Sequence, residues 1–281
     1  MVSIDNDRCS NCGICYELYG GYCIALKDDK IEIDYSVCNE CQKCIAVCPM
    51  MAFSNNGKPP RRIEKPIDIK PEQFEELLQR RRSIKNFKKT KIPKEVLGNL
   101  ARIAQYAPTM NKKIEMIIID DEDMIKLIDE AAMSYVRKYY NILFNRKIVL
   151  KFCQIFSDTL PIIKRKMERD LFNRGQVIKN NTPALMLLLG DTRIPLSESS
   201  AQYYMANMIL YAQLIGLGSC PMDSLKLAIN HNKKVKDRLK IPRNFKVLGV
   251  LAVGYPHERI LNVPEGYKMN VGWNSRNNTN G

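Results

Sequence analysis

Histidine is almost missing from this chain of 281 residues: only His231 and His257 occur. The side chain most used for proton transfer at neutral pH is therefore available at two places, both in polar, loop-like stretches. No nucleophilic triad is spaced along the chain, and Gly216-Leu217-Gly218-Ser219 is not a phosphate loop. No Gly-x-Gly-x-x-Gly follows a predicted strand, so a dinucleotide fingerprint is lacking. Nor does any apolar run approach the roughly 18 residues that a spanning helix needs. The longest, Ala184–Gly190 and Val247–Tyr255, read as buried strands. The N-terminus MVSIDNDRC has no basic-then-apolar signal pattern, and the expectation is a soluble, cytoplasmic protein without a membrane partner.

Cysteine is scarce after residue 48 and dense before it. Eight of the ten lie between Cys9 and Cys48; only Cys153 and Cys220 follow. A secreted disulfide scaffold spreads its cysteines, whereas a tight cluster in a cytosolic chain argues for metal. Cys153 reads as core and Cys220 as small packing. The formal net charge is +14. An acidic partner would suit it, but the basic residues are spread along the chain, as on a solvated surface that anionic cofactors partly neutralise. Residues 58–94 hold 13 Lys and Arg against five acids, with Phe74 and Phe87 as the interleaved aromatics. Nucleic-acid binding is thus the weaker reading of that stretch.

The chain divides at a linker. Residues 1–56 are cysteine-rich with short strands, including two around the Asp28–Asp29 turn within Ala25–Ile33. Residues 57–70 carry three prolines and a glycine without helical periodicity. From residue 71 to 281 helices and strands alternate. Helices are expected at Pro71–Arg82, Pro93–Tyr106, Ser197–Ile215 and Lys233–Leu239, and over a long region from Asp121 to Asn173 broken near Pro161. Strands are expected at Glu115–Ile119, Pro183–Gly190 and Phe245–Tyr255. The aromatics Tyr135, Tyr139, Tyr140 and Phe144 read as a packing stripe in the long helical region.

The cysteines form two runs. Cys9, Cys12 and Cys15 stand at two-residue intervals, followed by Cys23; Cys38, Cys41 and Cys44 do the same and close with Cys48-Pro49. Thiolates are soft donors, and three at this spacing wrap one cube. Structural zinc more often uses two Cys-x2-Cys pairs per site, so clusters are favoured over zinc. The pattern resembles the bacterial two-cluster ferredoxins. There the fourth ligand comes from the other run. The resemblance implies Cys9, Cys12, Cys15 and Cys48 on one 4Fe-4S cluster, and Cys38, Cys41, Cys44 and Cys23 on the second. The first run closes after seven residues rather than three, and Ile24 stands where proline is usual, so Cys23 is the departure from the family pattern.

A second resemblance begins with Arg81-Arg82-Ser83-Ile84-Lys85, a cationic cluster with a hydroxyl that can grip a phosphate. It is similar to the opening motif of the nitroreductase family of FMN proteins, in which the Arg, Ser and second basic residue hold the FMN phosphate and ribityl chain. Three further matches follow in family order. Ala107-Pro108-Thr109-Met110-Asn111, with Lys113 where Gln is common, resembles the loop that touches the flavin ring. Ala206–Ala212 leads to Gly216–Met222, whose counterpart of Cys220, Pro221, Met222 and Asp223 lies against the isoalloxazine. Val253-Gly254-Tyr255-Pro256 precedes Arg259, the candidate for a returning phosphate contact.

The resemblance implies an α+β chain: a small ferredoxin-like unit, then a nitroreductase-like α/β sandwich with a mixed central sheet flanked by helices. It implies a homodimer with FMN between subunits, and the apolar helix at Ser197–Ile215 is compatible with that. The expected function is an electron funnel from clusters to FMN to a small electron-poor acceptor: a nitroaromatic, quinone, enone or flavin. An external ferredoxin or NAD(P)H would be the donor, and oxygen-labile clusters point to an anaerobic setting. The alternative is a non-catalytic electron carrier or adaptor between ferredoxin-type and flavin partners.

Overall fold

The computed structural model describes residues 1–19, 22–28, 30–108, 114–144, 159–179, 181–266 and 268–273. Its first part is a pair of two-stranded ladders. β1 (Val2–Ile4) pairs antiparallel with β4 (Phe53–Asn55), and β2 (Ile24–Lys27) with β3 (Lys30–Ile33). Short helices α1 (Ile14–Tyr19) and α2 (Lys43–Val47) each begin just before the third cysteine of a run, Cys15 and Cys44. The core here is small: Val2, Ile24, Ile31 and Phe53 are buried together with Cys15 and Cys23. Between Asn55 and Pro71 there is no helix or strand, as the prolines require. The Arg62 guanidinium ties this stretch back by donating to the Pro49 carbonyl at 2.6 Å.

The larger part is a sheet between two helical layers. In chain order it comprises α3 (Pro71–Arg80), α4 (Lys94–Ala104), β5 (Ile114–Ile119), α5 (Glu122–Phe144), α6 (Leu160–Glu168), a π-helical turn (Arg169–Arg174) and β6 (Ala184–Asp191). Then come α7 (Ser197–Leu214), β7 (Gly218–Pro221), α8 (Asp223–Asn230), α9 (Lys233–Arg238) and β8 (Phe245–Gly254). The spatial strand order is β5-β6-β8-β7. Successive side chains of a strand face opposite ways, and β6 uses both. Leu185, Leu187 and Leu189 pack with α5, α8 and α9, while Ala184, Met186 and Leu188 pack with α4 and α7. All eight β6 residues are buried, which is why this segment reads as an unbroken apolar run.

The ladders of the described sheet are antiparallel, not mixed as expected. Parallel pairing occurs among the described residues at the Ser83–Ser219 bridge beside β7. Apolar runs report burial on both faces but carry no strand direction. No helix among the described residues is long and apolar enough to cross a membrane.

Candidate functional site

The segment after α3 builds the candidate site. Helix C-termini leave carbonyls without intrahelical donors. The Arg82 guanidinium meets two carbonyls there, those of Gln79 at 2.7 Å and Arg81 at 2.6 Å. The chain then runs extended along the sheet edge. Ile84 N–H donates to the Ser219 carbonyl at 2.9 Å, Lys88 N–H to that of Tyr255 at 2.8 Å, and His257 N–H to that of Asn86 at 3.0 Å. Ile84 and Phe87 are buried under this edge, while Ser83 and Lys85 stay exposed. Glycine makes the approach possible. A Cβ on Gly218 would lie 2.8 Å from the Ile84 side chain, and one on Gly254 2.6 Å from the Phe87 ring.

Two cavities open along this edge, fed by alternate residues of the same strands. Ile84 and Ser219 line the first, with Arg81, Arg82, His257 and Arg259. Because Arg82 is engaged with carbonyls and Arg80, which also lines it, is paired with Glu76, Arg81 and Arg259 supply its guanidiniums. A pair of forked donors suits a phosphate. Lys85 lines the second cavity with Cys220, Pro221, Met222 and Asp223. Cys220 is 2% exposed, and burial pushes its thiol pKa up, while the Lys85 charge and a hydrogen bond from Ser83 pull it down. The thiol is thus held as a packed wall beside a cation.

The structure brings Arg81, Arg82 and Arg259 to one cavity and Lys85 with Cys220–Asp223 to the other. Pro108 does not join them: it lines a third space, described below. Thr109, Met110, Asn111 and Lys113, like Cys153, lie outside the described residues. Of the histidines, His257 lines the first cavity. His231 does not: its Nδ1 meets the Leu227 carbonyl at 2.8 Å and its ring packs 5.4 Å from Tyr135. Sequence reasoning missed Lys166, Arg169, Arg174 and Lys179, which line the second cavity. The tyrosine stripe is packing: Tyr135 contacts Tyr139, and the Tyr140 hydroxyl donates to Glu168 at 2.9 Å, joining α5 to α6.

The cysteine unit repeats one backbone path. After β1, the Asp5 carbonyl accepts from Cys9 N–H at 3.1 Å; after β3, the Asp34 carbonyl accepts from Cys38 N–H at 3.1 Å. Two residues beyond each first cysteine, Asn11 and Glu40 are left-handed, with φ of 52° and 56°. Four beyond, Gly13 and Gln42 are left-handed again, at 78° and 64°. Each triplet of cysteines is thereby wound by the same turns. Cys9, Cys12, Cys15 and Cys48 line one small cavity with Ile31 and Phe53. Burial raises the Cys23 pKa, and the neighbouring Cys38 and Cys41 raise it further. Burial pushes the Cys44 thiol up to about 11, with Cys41, Cys38 and Cys15 adding to the rise. Cys9, Cys12, Cys15 and Cys48 thus share one cavity, while Cys23 and Cys44 each lie near Cys38 and Cys41, and Cys44 also near Cys15. Among the described residues no three Cys, His, Asp or Glu converge closely enough to hold a single metal ion.

A third space lies between the two parts of the chain. It is lined by Glu40, Cys41 and Gln42 on one side, and by Tyr106, Pro108, Ser199 and Tyr203 on the other. Cys41 thus shares this space with Pro108.

A family model described as the nitroreductase family matches residues 78–255, more than half of the chain and clear of the cysteine unit. Iodotyrosine deiodinase of Thermotoga neapolitana is 22% identical over 185 residues, covering 65% of this chain and 88% of that protein. Among solved structures, a nitroreductase with bound FMN from Desulfitobacterium hafniense is 14% identical with a TM-score of 0.54, covering 70% of this chain and 97% of that one. An FMN-dependent nitroreductase from Clostridium difficile is 21% identical with a TM-score of 0.53, covering 72% and 100%.

Proposed function

The chain belongs to the nitroreductase family, and on that premise we propose that it is an FMN-dependent oxidoreductase fed by two 4Fe-4S clusters in its own N-terminal unit. The observation that carries the reading is the edge at Ser83 and Ser219. It sets a guanidinium pair, Arg81 and Arg259, beside a second cavity walled by Lys85 and Cys220–Asp223. A long cofactor with an anionic end and a flat ring, lying across this edge, meets both. FMN has that shape, and an FMN-bound and an FMN-dependent nitroreductase share the fold.

In this reading Arg81 and Arg259 hold the phosphate, Ser83 meets the ribityl chain, and Pro221–Asp223 back the ring. Lys85 places a positive charge beside it. Thr109–Asn111 and Lys113 are assigned to the ring's far side on family resemblance. When bound, FMN accepts single electrons and delivers an electron pair to an acceptor. The chain's own residues orient it and keep one ring face against protein. Two cubane clusters would suit these cysteines: Cys48 shares a cavity with Cys9, Cys12 and Cys15, and family resemblance assigns Cys23, which has Cys38 and Cys41 beside it, to the second with Cys44. Iron keeps such thiols deprotonated despite the burial that raises Cys44.

Anaerobic purification with assays for iron, sulfide, zinc and released flavin tests the reading. About eight irons per chain, matching sulfide and one FMN are expected. Zinc without sulfide would remove the cluster half of the proposal; clusters without flavin, even after FMN is added, would remove the other half.

A further inference from the structure

Resting on the reading of the second cavity as the flavin-ring end, we propose that the acceptor taken there carries a fixed anion, a carboxylate or its like, gripped by Lys166, Arg174 and Lys179. The residues come from three places. Lys166 is in the last turns of α6, Arg174 closes the π-helical turn, and Lys179 lies in the stretch leading to β6. A π-helical turn is rare, and such turns gather at functional sites. Here it turns into Gly175, whose φ of 64° ends the helix and leaves Arg174 at the cavity.

The charge balance is one-sided. The Asp170 carboxylate, 5% exposed, accepts from Arg169 Nε at 3.0 Å and Nη2 at 2.9 Å, so that pair is internally matched. Four cations then remain at the cavity, Lys85, Lys166, Arg174 and Lys179, against the single carboxylate of Asp223. Asp223 in turn starts α8, where the helix end already favours a negative charge. None of Lys166, Arg174 and Lys179 has an ion-pair partner among the described residues. The FMN phosphate does not answer this excess, since Arg81 and Arg259 stand at the other cavity. A neutral nitroaromatic, quinone or enone would leave it unmatched; an aromatic acid would not.

Binding tests this without any turnover. The purified flavin-loaded protein is titrated with benzoate and with benzamide, an isosteric pair differing in charge, and the flavin spectrum is followed. Benzoate is expected to bind about tenfold or more tightly than benzamide at low salt. The preference should shrink as ionic strength rises, since these side chains are solvent-exposed at one end. Lys166→Gln and Arg174→Gln should each cut the preference, and the double variant should abolish it. Lys94→Gln on α4, across the sheet, should leave it intact. Equal binding of the two ligands overturns the proposal, as does a preference that survives the double variant. Loss of flavin from Lys166→Gln or Arg174→Gln also overturns it, by showing that these cations hold the cofactor. Released flavin is measured on every sample. A protein without flavin fails the oxidoreductase reading itself; a loaded protein without preference fails the anion proposal alone.

Discussion

Arg81 and Arg82 are neighbours in a basic run, and the fold gives them different work. The Arg82 guanidinium faces the carbonyls of Gln79 and Arg81 and so closes α3. Arg81 is left at the cavity with Arg259, which arrives from 178 residues further along the chain. Charge-assisted hydrogen bonds contribute roughly 1.5–3 kcal/mol each. Arg81→Gln is therefore expected to weaken FMN retention about 10- to 100-fold, and Arg259→Gln similarly. Flavin fluorescence titration of the apoprotein reads this directly; unchanged affinity in both variants would remove the phosphate assignment. The segment that brings Arg81 to this cavity was legible because Arg-Arg-Ser-x-Lys is a local motif. The cations of the second cavity were not. Lys166 and Arg174 sit in an ordinary basic helical stretch and Lys179 in the loop before β6; the packing of α5 against α6, through Tyr140 and Glu168, and the bonds from Val177 and Ile178 N–H to Asp129 carry them there.

At the scale of elements, the site depends on how closely the 83–88 edge lies on β7 and β8. Gly218 has no space for a methyl group: Ile84 side-chain atoms stand 2.8 Å from its Cβ position. Gly218→Ala is expected to cost about 1–3 kcal/mol by forcing the edge outward, with weaker FMN binding in the same protein. Gly98 provides the contrast, lying inside α4 with nothing within 4 Å of a Cβ. Gly98→Ala is expected to stabilise by roughly 0.5–1 kcal/mol without touching flavin affinity. Thermal melts of the two variants should move in opposite directions; a stable, flavin-replete Gly218→Ala protein would mean the edge has slack. The elements bearing on this were only partly readable. β5, β6, β8 and the longer helices follow from apolar runs and periodicity, and their bounds fall within a few residues of expectation. β7 and α8 were missed because Gly218–Pro221 is too short and too poor in β-branched residues to register as a strand. Helices α1 and α2 are 6 and 5 residues long, below what periodicity resolves.

At the scale of the whole molecule, the proposed second cluster and the proposed flavin site of one chain open into different cavities. Cys41 lines the space walled by β5, Tyr106 and the start of α7, while the candidate flavin cavities lie along β7, at the opposite end of the sheet order. Helix α7 measures the gap: Ser199 lines the cysteine-side space and Gln213 lines the guanidinium cavity. At 1.5 Å per residue they are roughly 21 Å apart along the helix axis. Electron tunnelling falls off steeply with distance, so on the proposed assignment a separation of that order would disfavour a direct route within one chain. Pro108, which starts the segment assigned to the flavin's far side, sits on the cysteine side instead. In the proposed dimer with FMN between subunits, the cluster of one copy would instead serve the flavin of the other. The expectation is that electrons cross between subunits. Two crippled chains make the test: Cys41→Ser to disable the second cluster, and a doubly substituted Arg81→Gln, Arg259→Gln chain to empty the flavin site. Each homodimer should be unable to pass electrons from reduced clusters to flavin. Co-expressed and isolated as the mixed dimer through two different tags, they should regain flavin reduction at up to half the wild-type rate per dimer. In that dimer the intact cluster and the intact flavin belong to different chains, so recovery requires transfer across the interface. A mixed dimer that holds one FMN and one intact pair of clusters yet stays inactive would return the route to within the chain.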